Sequence, residues 1–323
     1  MNTRQRLFKP SVRPAPLQGR LQNGVNGSDA ESFAMARVLL ACRGEGQWGS
    51  REDDNAKVDL ILSIQHPWSP GERMSVLAQV KSGATYGEVS GDGFKLKSAA
   101  KTAAKRTSHD ICAIWVDRDN NKVFWAYIHT TASTSAQVYG QHHEVTPAML
   151  FDLSRFLGRN ASSPVGGKGI IIAAKPPSNF KSSRRTALDQ YRSLSAIVSP
   201  TLGRIELTRI GWRHMFRRSR AAPNKGSSID IIPYLRGILS QRPSSHSVMP
   251  IAREIMGGYE HRICEHLLKF DQVSVATKGA PNRRVTACIR LIEDIRYPEN
   301  WRESAMLSQQ VCRRLVLKSA YYK

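Results

Sequence analysis

Charge is spread so unevenly along this 323-residue chain that it divides the molecule before any element is assigned. Residues 1–26 carry 5 basic and 0 acidic side chains, residues 27–158 carry 14 and 15, and residues 159–323 carry 29 and 11. A neutral stretch followed by a strongly cationic one implies two bodies with different partners, and the length suffices for two cores. The reading is a flexible basic arm over 1–26, a first domain over 27–158, a linker over 159–185 and a second, basic domain over 186–323. Arginines cluster in RRTALDQYR and WRHMFRRSR. Guanidinium grips phosphate through two parallel hydrogen bonds, so nucleic acid is the expected partner of the basic half, DNA first and RNA as the alternative. Arg184, Arg185, Arg213, His214, Arg217, Arg218 and Arg220 are the expected contacts.

Composition removes several classes. Apolar residues make up 41% of the chain and mean hydropathy is −0.39. The longest apolar runs, 169–174 and 285–291, are too short to cross a bilayer, so no membrane partner is expected. The amino terminus lacks the apolar centre of a secretory signal, which predicts a cytoplasmic protein. Cys42, Cys112, Cys264, Cys288 and Cys312 form no C-x-x-C pair, so reduced, mostly buried thiols are expected rather than disulfides or structural zinc. No Walker loop, Rossmann glycine pattern or nucleophile elbow is present.

Helix-cap chemistry at Ser28 and Asp29 precedes AESFAMARVLLAC, whose apolar positions follow a 3.6-residue period, and predicts a helix with Glu31 in its first turn. KVDLILSIQ and RMSVLAQVKSG flank the turn-forming PWSPGE and predict antiparallel strands. GFKLKS reads as a short strand, SAAKTAAKR as a helix, DICAIWVD as a buried central strand, and VFWAYIHT as a further strand after DRDNNK. TPAMLFDLSRFLG predicts a helix capped by Thr146 and ending at Gly158. The first half is therefore a layered α/β domain. The basic half reads as α+β, with a helix at SIDIIPYLRGILSQ, a helix or strand at RICEHLLKF, and a β-rich run at VTACIRLIEDI.

Chemistry concentrates in QVK. Gln79 and Lys81 lie two residues apart on a strand and share one face, while Val80 points to the other. Asp59 begins the preceding strand, and Glu31 on the leading helix is expected to reach the same rim. Asp59 and Glu31, with the Gln79 amide oxygen and the Val80 carbonyl, form an oxygen set for a hard cation, Mg²⁺ or Mn²⁺. A cation there polarises a phosphate and acidifies water, and Lys81 orients that water or offsets charge in the transition state.

The order Glu31, Asp59, then Gln79-Val80-Lys81 on helix, strand and strand resembles the restriction-endonuclease-like PD-(D/E)XK phosphodiesterase superfamily. DICAIWVDRDNNKVFWAYI after QVKSG resembles a branch of it found in prokaryotic defence proteins. The resemblance covers residues 27–158. It implies a restriction-endonuclease-like mixed sheet flanked by helices and Mg²⁺-dependent DNA cleavage. It also implies metal binding at Asp59 and Gln79, and Lys81 as the catalytic lysine. Val58 stands where the pattern has proline, and Gln79 where it has an acid, which removes one negative charge from the metal set. Two-strand cutting suits a homodimer, and a defence role suits a regulatory partner protein.

Other signals are weaker. Adjacent His142 and His143 point to opposite faces on a strand and read as loop polar groups rather than a metal pair. Asp53 and Asp54 are alternatives to Asp59, which alone enters the apolar strand. Trp115 and Trp125, in apolar runs, read as core. His214 with Arg217 or Arg284 offers metal-independent acid–base chemistry, and the basic half faintly resembles the barnase/RelE-like ribonucleases.

Overall fold

A computed structural model describes residues 20–50, 57–160, 169–174, 180–277, 279 and 281–323. The amino-terminal half comprises α1 (Arg20–Cys42), β1 (Gly44–Trp48), β2 (Leu60–Gln65), β3 (Arg73–Ser82), β4 (Gly87–Ser90), β5 (Gly93–Leu96), α2 (Ser98–Ala104), β6 (Ile111–Asp117), β7 (Lys122–Ile128), β8 (Gln137–Tyr139) and α3 (Met149–Asn160). Five strands form a mixed sheet in the order β1-β2-β3-β6-β7. The first three are an antiparallel meander, β6 runs parallel to β3, and β7 returns antiparallel. Two neighbouring strands can run parallel only if the chain crosses over between them, and the segment carrying α2 does so. The β4-β5-β8 ribbon forms a separate three-stranded sheet, so GFKLKS does not join the main one.

Alternation along β3 sorts its two faces. Val76, Ala78 and Val80 pack with Ala30, Ala34, Val38 and Ala41 of α1, a stripe of helical spacing. Leu77 faces the other layer, where Ala100 and Ala104 of α2 pack with Ala113, Trp115 and Phe124. Trp115 and Trp125 are core residues, as their apolar runs require. The helix expected to start at Ser28 already includes Arg20, so residues 20–26 belong to it rather than to an arm, and Glu31 lies well inside it. Helical hydrogen bonding carries the chain through both Asn-Gly pairs. Residues 1–19, Asp53, Asp54 and 161–168 lie outside the described residues.

The carboxy-terminal half comprises β9 (Ile170–Ala173), α4 (Phe180–Leu194), β10 (Ala196–Ser199), β11 (Gly203–Glu206), α5 (Arg209–Met215), α6 (Ala222–Ile231), α7 (Leu235–Leu239), β12 (Ser245–Met256), β13 (Tyr259–Ala276), β14 (Arg283–Pro298), α8 (Leu307–Gln310) and β15 (Cys312–Tyr322). Seven strands form one sheet in the order β10-β11-β15-β14-β13-β12, with β9 parallel to β13. The expected linker over 159–185 is corrected here: GIIIAA supplies β9, whose Ile172 is fully buried, and α4 begins at Phe180. RICEHLLKF is strand, within β13. The helix expected over SIDIIPYLRGILSQ is broken near Pro233, whose missing N–H and ring interrupt an α-helical ladder.

The halves share a core. Ile295, Tyr297, Trp301 and Leu307 belong to the same buried cluster as Leu60, Trp125, Phe151 and Leu153. Beside it, Asp152 and Arg155 of α3 meet Arg262 and Glu293 of β13 and β14 as buried ion pairs. Glu293 also accepts from Arg313 and contacts His266. The architecture is thus mixed α/β, and packing continues across the charge boundary read from the sequence.

Candidate active site and cationic surface

Asp59 stands one step beyond the Leu60–Ala78 pair, which sets it across from Gln79. Its backbone N–H donates to the Ala78 carbonyl at 3.0 Å, and its own carbonyl accepts from Gly49 at 2.9 Å, so both neighbouring strands hold it. Its Oδ2 accepts the Val80 backbone N–H at 2.6 Å and lies 3.6 Å from the Lys81 ammonium. Lys81 Nζ donates to the Val80 carbonyl at 3.0 Å and sits 6.0 Å from the Tyr86 ring centre. The Gln79 side chain is 1% exposed, and its amide donates to the Lys57 carbonyl at 2.9 Å. Four of the sequence-derived site residues, Asp59, Gln79, Val80 and Lys81, therefore meet at one rim of the sheet. Glu31 belongs to α1, the layer covering the opposite, Val80 side of the sheet.

The donor set can be tested against a hard cation. Gln79 Oε1 is buried without a hydrogen-bond partner, an arrangement that a buried amide oxygen rarely keeps. Asp59, across the strand pair from Gln79, and Val80, next along the strand, carry a carboxylate and a backbone carbonyl, both oxygen donors of the class that Mg²⁺ takes. The Lys81 ammonium bridges these two groups, so positive charge is already accommodated between them. The residues fit a divalent cation with one carboxylate and two neutral oxygens. Among the described residues no group of three or more His, Cys, Asp or Glu side chains is arranged to hold a metal ion, so the set is lean in charge.

Lys81 opens onto a cleft of about 560 Å³ lined by Lys57, Thr85, Tyr86, Ser98, Thr102 and Arg106. Three cations and four hydroxyl side chains around one concavity suit a phosphate-bearing chain. Lys57, Tyr86 and Arg106 went unnoticed in the sequence. A signal for Arg106 exists: Ser98 and Thr102 of α2 and Arg106, in the turn just after it, repeat every four residues, away from Ala100 and Ala104.

The expected nucleic-acid contacts fall into two sets. Arg184 and Arg185 are exposed on α4, and Arg184 lies 5.4 Å over the Phe216 ring. Arg213 and His214 lie on α5, which ends at Met215, so Arg217, Arg218 and Arg220 follow in a turn rather than on a continued helix. Arg220 stacks 5.1 Å over Tyr321 of β15. Burial, then Arg217, Lys318 and Arg220, hold the His214 imidazole below its usual pKa, which records how cationic this corner is. Arg290 and Lys318 both pair with Glu265 there.

His142 and His143 lie in a loop, as expected, but neither is exposed. They occupy a 3₁₀ turn, Gln141–His143, and His143 is buried with Nδ1 donating to the Trp125 carbonyl at 2.9 Å. All five cysteines are free, and four are buried.

No family model, curated protein or solved structure matches this chain. No helix among the described residues is long and apolar enough to cross a membrane.

Proposed function

We propose that the chain is a Mg²⁺-dependent nuclease of restriction-endonuclease-like type, cutting DNA at the Asp59, Gln79 and Lys81 rim while the cationic half holds the nucleic acid. The convergence of the Asp59 carboxylate, the Val80 carbonyl and the Lys81 ammonium beside a cationic cleft carries this reading. A mixed sheet flanked by helices, with the Q-x-K strand at its centre, supports it. The likeness of residues 110–128 to defence proteins supports an anti-phage setting, with control by a partner protein.

In this reading Asp59 provides the only negative ligand, and the Gln79 and Val80 oxygens complete the cradle. A bound Mg²⁺ supplies polarisation of the scissile phosphate and a lowered pKa for the attacking water. Lys81 turns from the Val80 carbonyl into the cleft and offsets charge gathering on the phosphate. Lys57 and Arg106 hold flanking phosphates, and the arginines of α4 and of the turn after α5 grip the strand farther out.

Incubating the protein with DNA and RNA in parallel, with Mg²⁺ or with EDTA, tests the assignment. DNA cleavage that requires Mg²⁺, and that falls about 10²-fold or more in Asp59→Ala while DNA binding persists, is expected. RNA cleavage surviving EDTA would move the chemistry to His214. Binding without turnover under any metal would make the chain a nucleic-acid-binding regulator.

A further inference from the structure

On the other side of α2 from the Asp59 cleft lies a second cavity, of about 380 Å³, between β7, β8, the 141–143 turn and α3. Its walls are aromatic. The Tyr127 and Phe156 rings stack 6.0 Å apart at 24°, and Tyr139 meets His143 edge-on at 4.7 Å. Stacked and edge-on rings around an open space offer flat faces to a planar heterocycle.

Two polar groups in that wall are poorly satisfied. Lys101 is 2% exposed, and its ammonium donates to the neutral Gln137 Oε1 at 2.8 Å, with no carboxylate paired to it among the described residues. His142 Nδ1 is buried with no hydrogen-bond partner. A buried ammonium without a counter-charge and an orphaned ring nitrogen both cost stability. Burial first, then Arg262 and Arg155, push the His142 imidazole down to about 4, and burial pushes His143 down to about 3. Both rings are therefore neutral near pH 7 and offer hydrogen bonds rather than charge.

We propose that this cavity binds a nucleotide through its base, guanine for preference, with the ring against Tyr127, Tyr139 and Phe156, its oxo face on Lys101 and its N–H edge toward His142. Lysine is a donor only, and the guanine O6 and N7 are paired acceptors that it suits. Adenine presents an amino group where guanine presents O6, so it leaves the ammonium partly unsatisfied. The absence of a Walker or Rossmann glycine pattern does not bear on such a site, because the base rather than the phosphate is recognised. The assignment is independent of the nuclease reading.

Calorimetric titration of the full chain with GMP, AMP and ribose 5-phosphate tests it. GMP is expected to bind about tenfold or more tightly than AMP, with ribose 5-phosphate weaker still. Lys101→Met is expected to weaken GMP binding at least about tenfold while raising the Tm of the unliganded protein, because it removes an uncompensated buried charge. Affinity and stability moving in opposite directions is what a lysine kept for its ligand rather than for the fold produces. His142→Ala, at a half-buried position, gives a second affinity readout if Lys101→Met does not fold. Lys81→Ala should bind GMP as the parent does. No heat with millimolar GMP, equal affinity for ribose 5-phosphate, or GMP affinity unchanged in both Lys101→Met and His142→Ala would overturn the proposal. Loss of GMP binding in Lys81→Ala alone would put the nucleotide in the Asp59 cleft and overturn it too.

Discussion

Glu293 shows how single residues govern this molecule. It is fully buried, yet two Arg155 hydrogen bonds, one from Arg313 and contact with His266 compensate its charge. Burial alone would raise its pKa, but Arg155 and Arg313 hold it well below the usual carboxylate range. Glu293→Gln leaves guanidiniums uncompensated and should cost about 3–5 kcal/mol in chemical denaturation. His143 adds a pH dependence. Its folded pKa of about 3 lies below the ordinary 6.5, so between those values the unfolded chain binds a proton that the folded chain refuses. Its contribution is complete above pH 6.5 and declines as pH falls, by about 1.4 kcal/mol per pH unit. His143→Gln should flatten the stability profile between pH 6 and 5 by about that slope; an unchanged slope would show that another group sets it. Asp59, Gln79 and Lys81 were readable because strand alternation fixes which side chains share a face. The placement of Glu31 relative to them was not readable, because it depends on how α1 packs. The burial of His143 was not legible, because nothing local in a loop sequence shows that its ring packs under Trp125.

Among the elements, α5 depends on one missing methyl group. A Cβ on Gly211 would stand 2.1 Å from the Leu317 carbonyl and 2.7 Å from the Tyr191 hydroxyl, so the helix lies directly against β15 and the α4 side chain that covers it. Gly211→Ala should cost about 1–3 kcal/mol in thermal unfolding and weaken nucleic-acid binding, because the turn bearing Arg217 and Arg220 follows that helix. Parent-like stability would show that α5 can lift away freely. The meander β2-β3, the central β6 and α2 were readable from period and turn chemistry. β1, with sequence GEGQW, has little β-branched character and escaped notice. β13 looked ambiguous because its buried side carries Glu260, Arg262 and His266 where alternation predicts apolar residues. Their partners are Arg253 and Tyr297 for Glu260, Asp152 for Arg262 and Glu293 for His266, and several lie far away in sequence. Local patterns cannot register such compensation.

Across the whole molecule, the charge boundary is not a packing boundary. A fragment of residues 20–160 would strip Phe151 and Leu153 of Ile295 and Tyr297, and Arg155 of Glu293. It should be poorly soluble or rapidly digested by protease, whereas the intact chain should unfold in one transition; a stable, protease-resistant fragment would contradict the shared core. Nucleic-acid binding by the basic half should weaken steeply with salt, log K falling about 0.9 per phosphate neutralised on duplex DNA. Replacing Arg217 and Arg220 together with alanine should make that slope shallower, and an unchanged slope would put the phosphate contacts elsewhere. The central claim concerns the Asp59 rim, and the most direct measurement is the cleavage rate of supercoiled plasmid in Mg²⁺ by the parent and by Lys81→Ala at equal DNA occupancy. The account predicts Mg²⁺-dependent nicking by the parent and its near-complete loss in Lys81→Ala; equal rates in the two proteins would contradict it.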